Sequence, residues 1–254
     1  MIELKTAEEI ERMRQAGRVV AELLGHLSGI VRPGIKTKAL DDEALAYLRR
    51  QGAKPAFLGY RGFPASICVS INEEVVHGIP GERKLREGDL VSLDAGAVVD
   101  GLYADAATTL AVGSVSSQAR RLMETTRQAL DEGIARAVVG SRLSDISHAV
   151  QQRVEQDGFG VVRDFVGHGI GHALHEDPPI PNFGPPHLGP RLQAGMVLAI
   201  EPMATMGGFD VEVLDDGWTA VTKDRSLAAH FEHTVAITEQ GTQILTDPAC
   251  QKKI

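Results

Sequence analysis

Cysteine is almost absent: Cys68 and Cys250 are the only two and lie far apart. They lack the short paired spacing of thiolate zinc sites, and so sparse a use of thiols suits a reducing compartment. Basic residues are also in deficit, 26 Lys and Arg against 34 Asp and Glu, for a formal charge of -8. Phosphate backbones are bound through clustered cations, and no basic run exists here, so a DNA partner is not expected. No uninterrupted apolar stretch reaches the length of a membrane span, and the start, MIELKTAEEIERMRQAG, is charged rather than basic-then-apolar. A soluble chain of cytoplasmic location, not processed for secretion, is therefore expected.

What is present is 254 residues of ordinary globular content, enough to bury a large core in one domain or two fused halves. Thr6-Ala7-Glu8-Glu9 has the capping-box form, and Ile10, Met13, Val20, Leu23, Leu24, Leu27 and Ile30 recur at helical spacing up to Pro33-Gly34. A second helix is expected over 37–50, then a Gly- and Pro-rich loop carrying Phe57, Tyr60 and Phe63. Strands are expected at 66–71, 90–94 and 106–112. Helices at 116–138 and 144–156 and strands at 161–166, 196–201, 211–214 and 231–238 follow. Two helices then strands, twice over, suggests an α+β fold of two similar αβ halves, about 1–113 and 114–254, in a single domain.

The chemistry sits on the strands. A two-residue turn at Asp100-Gly101 pairs positions whose numbers sum to 201, so Asp105 opposes Gly96 and Asp94 lies two residues along on the same face. Asp94 ends an apolar run and Asp105 opens another. Glu201 follows Met196-Val197-Leu198-Ala199-Ile200, and Glu232 precedes His233-Thr234-Val235-Ala236-Ile237. Carboxylates on core strands need a cation. With His168, in Gly167-His168-Gly169-Ile170-Gly171, they make an oxygen-rich donor set suited to two divalent ions.

The segments Ser70-Ile71-Asn72-Glu73-Glu74-Val75-Val76-His77-Gly78-Ile79-Pro80, Gly167 to Gly171, Ile200-Glu201-Pro202-Met203 and Phe231-Glu232-His233-Thr234 occur in that order. Through them the sequence resembles the type I methionine aminopeptidases of the bacterial kind. The resemblance implies the pita-bread fold, with pseudo-symmetric αβ halves around a central antiparallel sheet. It implies two divalent ions, Co, Mn, Fe or Zn, with Asp94 on one, His168 and Glu201 on the other, and Asp105 and Glu232 bridging. The implied reaction is metal-activated attack of water on the first peptide bond of a nascent polypeptide, releasing the initiator methionine when the second residue is small. In it Glu201 accepts a proton and His77 and His175 act on the scissile amide. Tyr60, Phe63, Cys68 and Trp218 match positions lining the methionine pocket, while Phe57 and Leu174 depart from a cysteine and an aromatic found in relatives. A monomer working near the ribosome is implied. An Xaa-Pro peptidase and a non-catalytic binding protein on the same scaffold are the alternatives; the retained ligands disfavour the second.

Overall fold

The structure is a computed structural model that describes residues 2–247. Met1 and residues 248–254, Cys250 among them, lie outside the described residues.

Helix α1 (Ala7–Ile30) starts where the capping box predicts. The Glu9 N–H donates to Thr6 Oγ1 at 3.2 Å and the Thr6 N–H to Glu9 Oε2 at 2.8 Å, satisfying two of the free donors of the first turn. Helices α2 (Thr37–Arg50), α3 (Ser117–Arg136) and α4 (Leu143–Gln156) complete the helical set. Between α2 and α3 run β1 (Lys54–Pro55), β2 (Ile67–Ile71), β3 (Glu74–Val76), β4 (Leu90–Val99) and β5 (Leu102–Ala111). After α4 come β6 (Gly160–Val161), β7 (Gly167–Gly169), β8 (Glu176–Ile180), β9 (Val197–Ile200) and β10 (Met203–Thr205). The chain continues through β11 (Val211–Val213), β12 (Ala220–Thr222), β13 (Ala228–His230), β14 (Glu232–Thr238) and β15 (Gly241–Ile244).

The central sheet is ordered β1-β4-β5-β14-β9-β7-β8, with β2 added to β4 and β15 to β14, and the strand pairs are antiparallel. Asp100 and Gly101 both take positive φ, 49° and 79°, as the tight β4-β5 hairpin requires. Asp105 pairs with Gly96 and Asp94 with Ala107, the register expected from the turn.

Alternation then sorts the sheet into two faces. Leu93, Ala95 and Ala97 of β4 pack with Val20, Leu23 and Leu27 of α1, while Leu198 and Ile200 of β9 and Val235 and Ile237 of β14 pack with Leu122, Leu130 and Ile146 of α3 and α4. Each such fully buried Val, Leu or Ile side chain contributes roughly 1.5–3 kcal/mol relative to exposure. Residues of opposite parity, Asp94, Asp105, Ala199, Glu232 and Thr234, face away from the helices.

The strand expected over 161–166 is a correction. Only Gly160–Val161 enters a ladder, pairing with Thr205 and Ala204 of β10. The charged Arg163 and Asp164 are exposed, and the Arg163 guanidinium lies 3.9 Å from the centre of the Phe209 ring rather than in a ladder. The helix expected to reach Val138 ends at Arg136.

Candidate metal centre

Four of the five acid and imidazole side chains lie on the neighbouring strands β4, β5, β14 and β7, and the fifth, Glu201, lies directly after β9, which runs between β14 and β7. Cys68, Asp94, Ala107 and Glu232 form one row across the sheet, so the methyl of Ala107 is all that stands between the two carboxylates along that row. His168 pairs with Ala199 and Ala199 with Thr234, which brings the imidazole onto the same face. Glu201 follows Ile200 at the end of β9. The glycines around His168 are dictated by packing: a Cβ on Gly167 would lie 2.4 Å from the Ala199 carbonyl oxygen and one on Gly169 2.1 Å from that of Asp177.

Local hydrogen bonds aim the donors. The Gly169 carbonyl, which can only accept, lies 2.9 Å from His168 Nδ1, so that nitrogen carries the proton and Nε2 is left free to act as a ligand. His168 Nε2 lies 3.5 Å from Asp105 Oδ2 and 3.7 Å from Glu201 Oε1. Donor atoms of Asp105, His168 and Glu232 all fall within 4.8 Å of one another. Asp105 is fixed by Thr234, whose hydroxyl accepts from the Asp105 N–H at 3.0 Å and lies 3.0 Å from Asp105 Oδ1.

Burial, followed by the charge of Asp105, holds the Asp94 carboxyl well above the ordinary carboxylate range. Burial, then Asp105 and Asp94, does the same to Glu201, and burial, then Asp105, Glu201 and Asp94, to Glu232. Burial also raises Asp105, against the opposing pull of His168 and Thr234. Among the described residues no lysine or arginine forms an ion pair with any of the four, and Asp94 Oδ1 is buried with no hydrogen-bond partner. So much uncompensated negative character fits two divalent cations, and hard oxygen donors with one imidazole fit Mn, Fe, Co or Zn.

A pH dependence follows. The raised carboxyls cost the metal-free fold nothing below their ordinary values, 3.8 for Asp and 4.5 for Glu, and destabilise it increasingly as pH rises through the raised values. Cations bind the ionised forms, so binding must expel these protons. Apparent Mn affinity of the chelator-stripped protein is expected to climb as pH rises above the ordinary carboxylate range, with calorimetric proton release. Affinity flat in pH with no proton release would contradict the arrangement.

All eleven site residues expected from the sequence line one cavity, together with Phe57, Arg61 and Leu174. The Phe63 and Trp218 rings meet edge to face at 5.1 Å, Cys68 forms part of the floor, and Tyr60 Oη is hydrogen-bonded to His175 Nδ1 at 2.8 Å. The His175 ring stands 4.2 Å from that of His168. Burial first, then the positive charge His168, Arg61 and His77 would carry, lowers the His175 pKa to about 3. Burial lowers that of His77 too. Both imidazoles are therefore neutral near pH 7, each with one donor and one acceptor. Burial likewise raises the Cys68 thiol well above its ordinary value, ahead of the charges of Asp94 and Glu232, so it stays protonated.

Two neighbours of the centre escaped the sequence reading. Thr234 stands in the Phe231–Thr234 motif with no sign of its own role, and His230, with a fully buried Nε2 that lacks a hydrogen-bond partner, faces Glu201 Oε2 at 3.7 Å. Its position two residues before Glu232 was the only available hint.

The sequence model of metallopeptidase family M24 matches residues 11–239. A methionine aminopeptidase of Clostridium perfringens is 53% identical, covering 97% of this chain and 99% of its own length. The crystal structure of a methionine aminopeptidase from Thermotoga maritima superposes with a TM-score of 0.96 at 49% identity, over 97% of this chain and 100% of that one. A prolidase from Pyrococcus furiosus superposes at 0.79 and 23% identity, covering 96% of this chain and 65% of that one, a likeness of fold alone.

Proposed function

The chain belongs to metallopeptidase family M24, and from that membership we propose that it is a type I methionine aminopeptidase of the bacterial kind, removing the initiator methionine from nascent proteins and peptides. Its α+β fold is the pita-bread fold. Residues 1–113 and 114–254 are read as pseudo-symmetric halves of one catalytic domain. The observation that carries the reading is the set of four carboxylates and one imidazole, with no lysine or arginine paired to it among the described residues, lining a cavity shared with aromatic rings.

In this reading Asp94 would hold one divalent ion and His168 and Glu201 the other, with Asp105 and Glu232 shared between them. When bound, the ions polarise the scissile carbonyl and make water more acidic. Glu201 takes up the proton that the attacking water gives away, its carboxylate lying within the same face of the sheet. His77 and His175, neutral, donate hydrogen bonds to the scissile amide and to the negative charge that develops on its oxygen. Tyr60, Phe63, Cys68 and Trp218 enclose the methionine side chain, whose polarisable sulfur suits aromatic edges and a protonated thiol. A small second residue is expected from the likeness to the methionine aminopeptidases.

Among the described residues no helix is long and apolar enough to cross a membrane. We place the protein in the cytoplasm, acting as a monomer on chains emerging near the ribosome, without a DNA or membrane partner. The net charge of -8 supports the absence of a nucleic-acid surface.

Mass spectrometry of a peptide set in which the first two residues vary tests this. Methionine should be released, and only when Gly, Ala or Ser follows. Removal of other first residues, or cleavage confined to Xaa-Pro peptides, would move the chain to another branch of the family.

A further inference from the structure

Lys5 is a buried cation outside the metal centre. Its side chain is 1% exposed, and its Nζ lies 2.7 Å from Glu176 Oε2, with Glu3 Oε2 at 3.2 Å. Glu176 is the residue after His175 and the first of β8. Its other oxygen, Oε1, accepts the Ala173 N–H at 3.0 Å, so a single carboxylate ties the 170–175 turn to the segment before α1. That segment is itself pinned, the Lys5 N–H donating to the Gly195 carbonyl at 2.7 Å. The Lys5 stem crosses the turn so closely that a Cβ on Gly171 would fall 2.0 Å from its Cε. A second tie joins the first turn of α1 to the same 170–175 turn, Glu9 Oε1 lying 3.0 Å from His172 Nε2.

A lysine is rarely buried unless its charge is matched. The start of the turn is held by the Tyr103 N–H donating to the Gly171 carbonyl at 2.8 Å and by buried Ile170, while the Lys5–Glu176 pair holds its far end, at the residue after His175. We propose that the Lys5–Glu176 pair positions His175: the segment preceding α1 straps the 170–175 turn and sets how far the His175 ring reaches over the cavity. Lys5 and Glu176 touch neither substrate nor metal ligand, so they act on turnover through His175. The proposal rests on the reading of His175 as a group that acts on the substrate.

The test is a double-mutant cycle on the metal-loaded protein with Met-Gly-Met-Met as substrate. Lys5→Met should lower kcat about ten- to a hundredfold, the scale of an ångström-sized misplacement, with KM and metal content unchanged. Combined with His175→Ala it should cost nothing further. Where the single variant does not fold, Lys5→Met with Glu176→Gln, which leaves no lone charge and keeps an acceptor for Ala173, is read in its place. An unchanged kcat, an equal loss in the His175→Ala background, or lost metal would overturn the proposal. Normal turnover of His175→Ala alone would instead overturn the role of His175.

Discussion

Asp105→Asn abolishes both metal binding and activity. The carboxylate is 3% exposed and is one of the two groups assigned to both ions. Asparagine matches its size, and its carbonyl oxygen can keep the hydrogen bond from Thr234, so the hairpin retains its register. What is lost is one negative charge of four and a ligand atom. Changes to groups that merely support metal ligands already cost about 10–100-fold, so removal of a shared ligand should lower turnover by at least about 100-fold at any metal concentration tested. The metal-stripped variant should be at least as stable as the stripped parent, since a buried like charge has gone. Metal content by elemental analysis and melting temperature with and without Mn check both halves. An active variant that still holds two ions would remove Asp105 from the centre.

His175→Ala separates substrate chemistry from metal binding. The imidazole lies beside His168, yet its hydrogen bond runs to Tyr60 Oη and not to a ligand. Ion content should therefore be unchanged while kcat falls by about 10²–10³-fold, the usual cost of removing one donor to a developing oxyanion. With the pKa lowered to about 3, His175 stays neutral throughout the neutral range. The fold-loss should accordingly be the same at each pH from about 6 to 9. A loss that disappears toward either end of that range, or loss of metal, would assign the residue differently.

How far this was legible in the sequence varied with distance along the chain. The β4-β5 hairpin was readable in full, because Asp100-Gly101 fixes a two-residue turn and the turn fixes every pair after it, Gly96 with Asp105 included. The α1 start was equally local. By contrast, nothing in the spacing says that β14 lies between β5 and β9, so spacing alone could neither gather His168 and Glu201 beside Asp105 nor divide the ligands between ions. The family likeness supplied that division. The strand expected over 161–166 failed because Val161, Val162, Phe165 and Val166 bracket the exposed pair Arg163-Asp164, and a short apolar run does not by itself distinguish a paired strand from a connection. Thr234, His230 and Lys5 were missed for one reason: each gains its role by tertiary proximity, and a threonine in a strand or a lysine in a charged leader carries no periodic signal.

The central claim, methionine release by an enzyme whose carboxylate cluster holds two divalent ions, is tested most directly by reconstitution. Chelator-stripped protein is restored in turn with Mn, Co, Fe or Zn and assayed on Met-Gly-Met-Met beside an Xaa-Pro peptide, with bound metal counted in the same samples. Methionine release from the first peptide alone, absent before metal is added and accompanied by binding of two ions per chain, is the predicted result. Cleavage that survives metal removal, cleavage of the Xaa-Pro peptide only, or no cleavage with any of the four metals would contradict it.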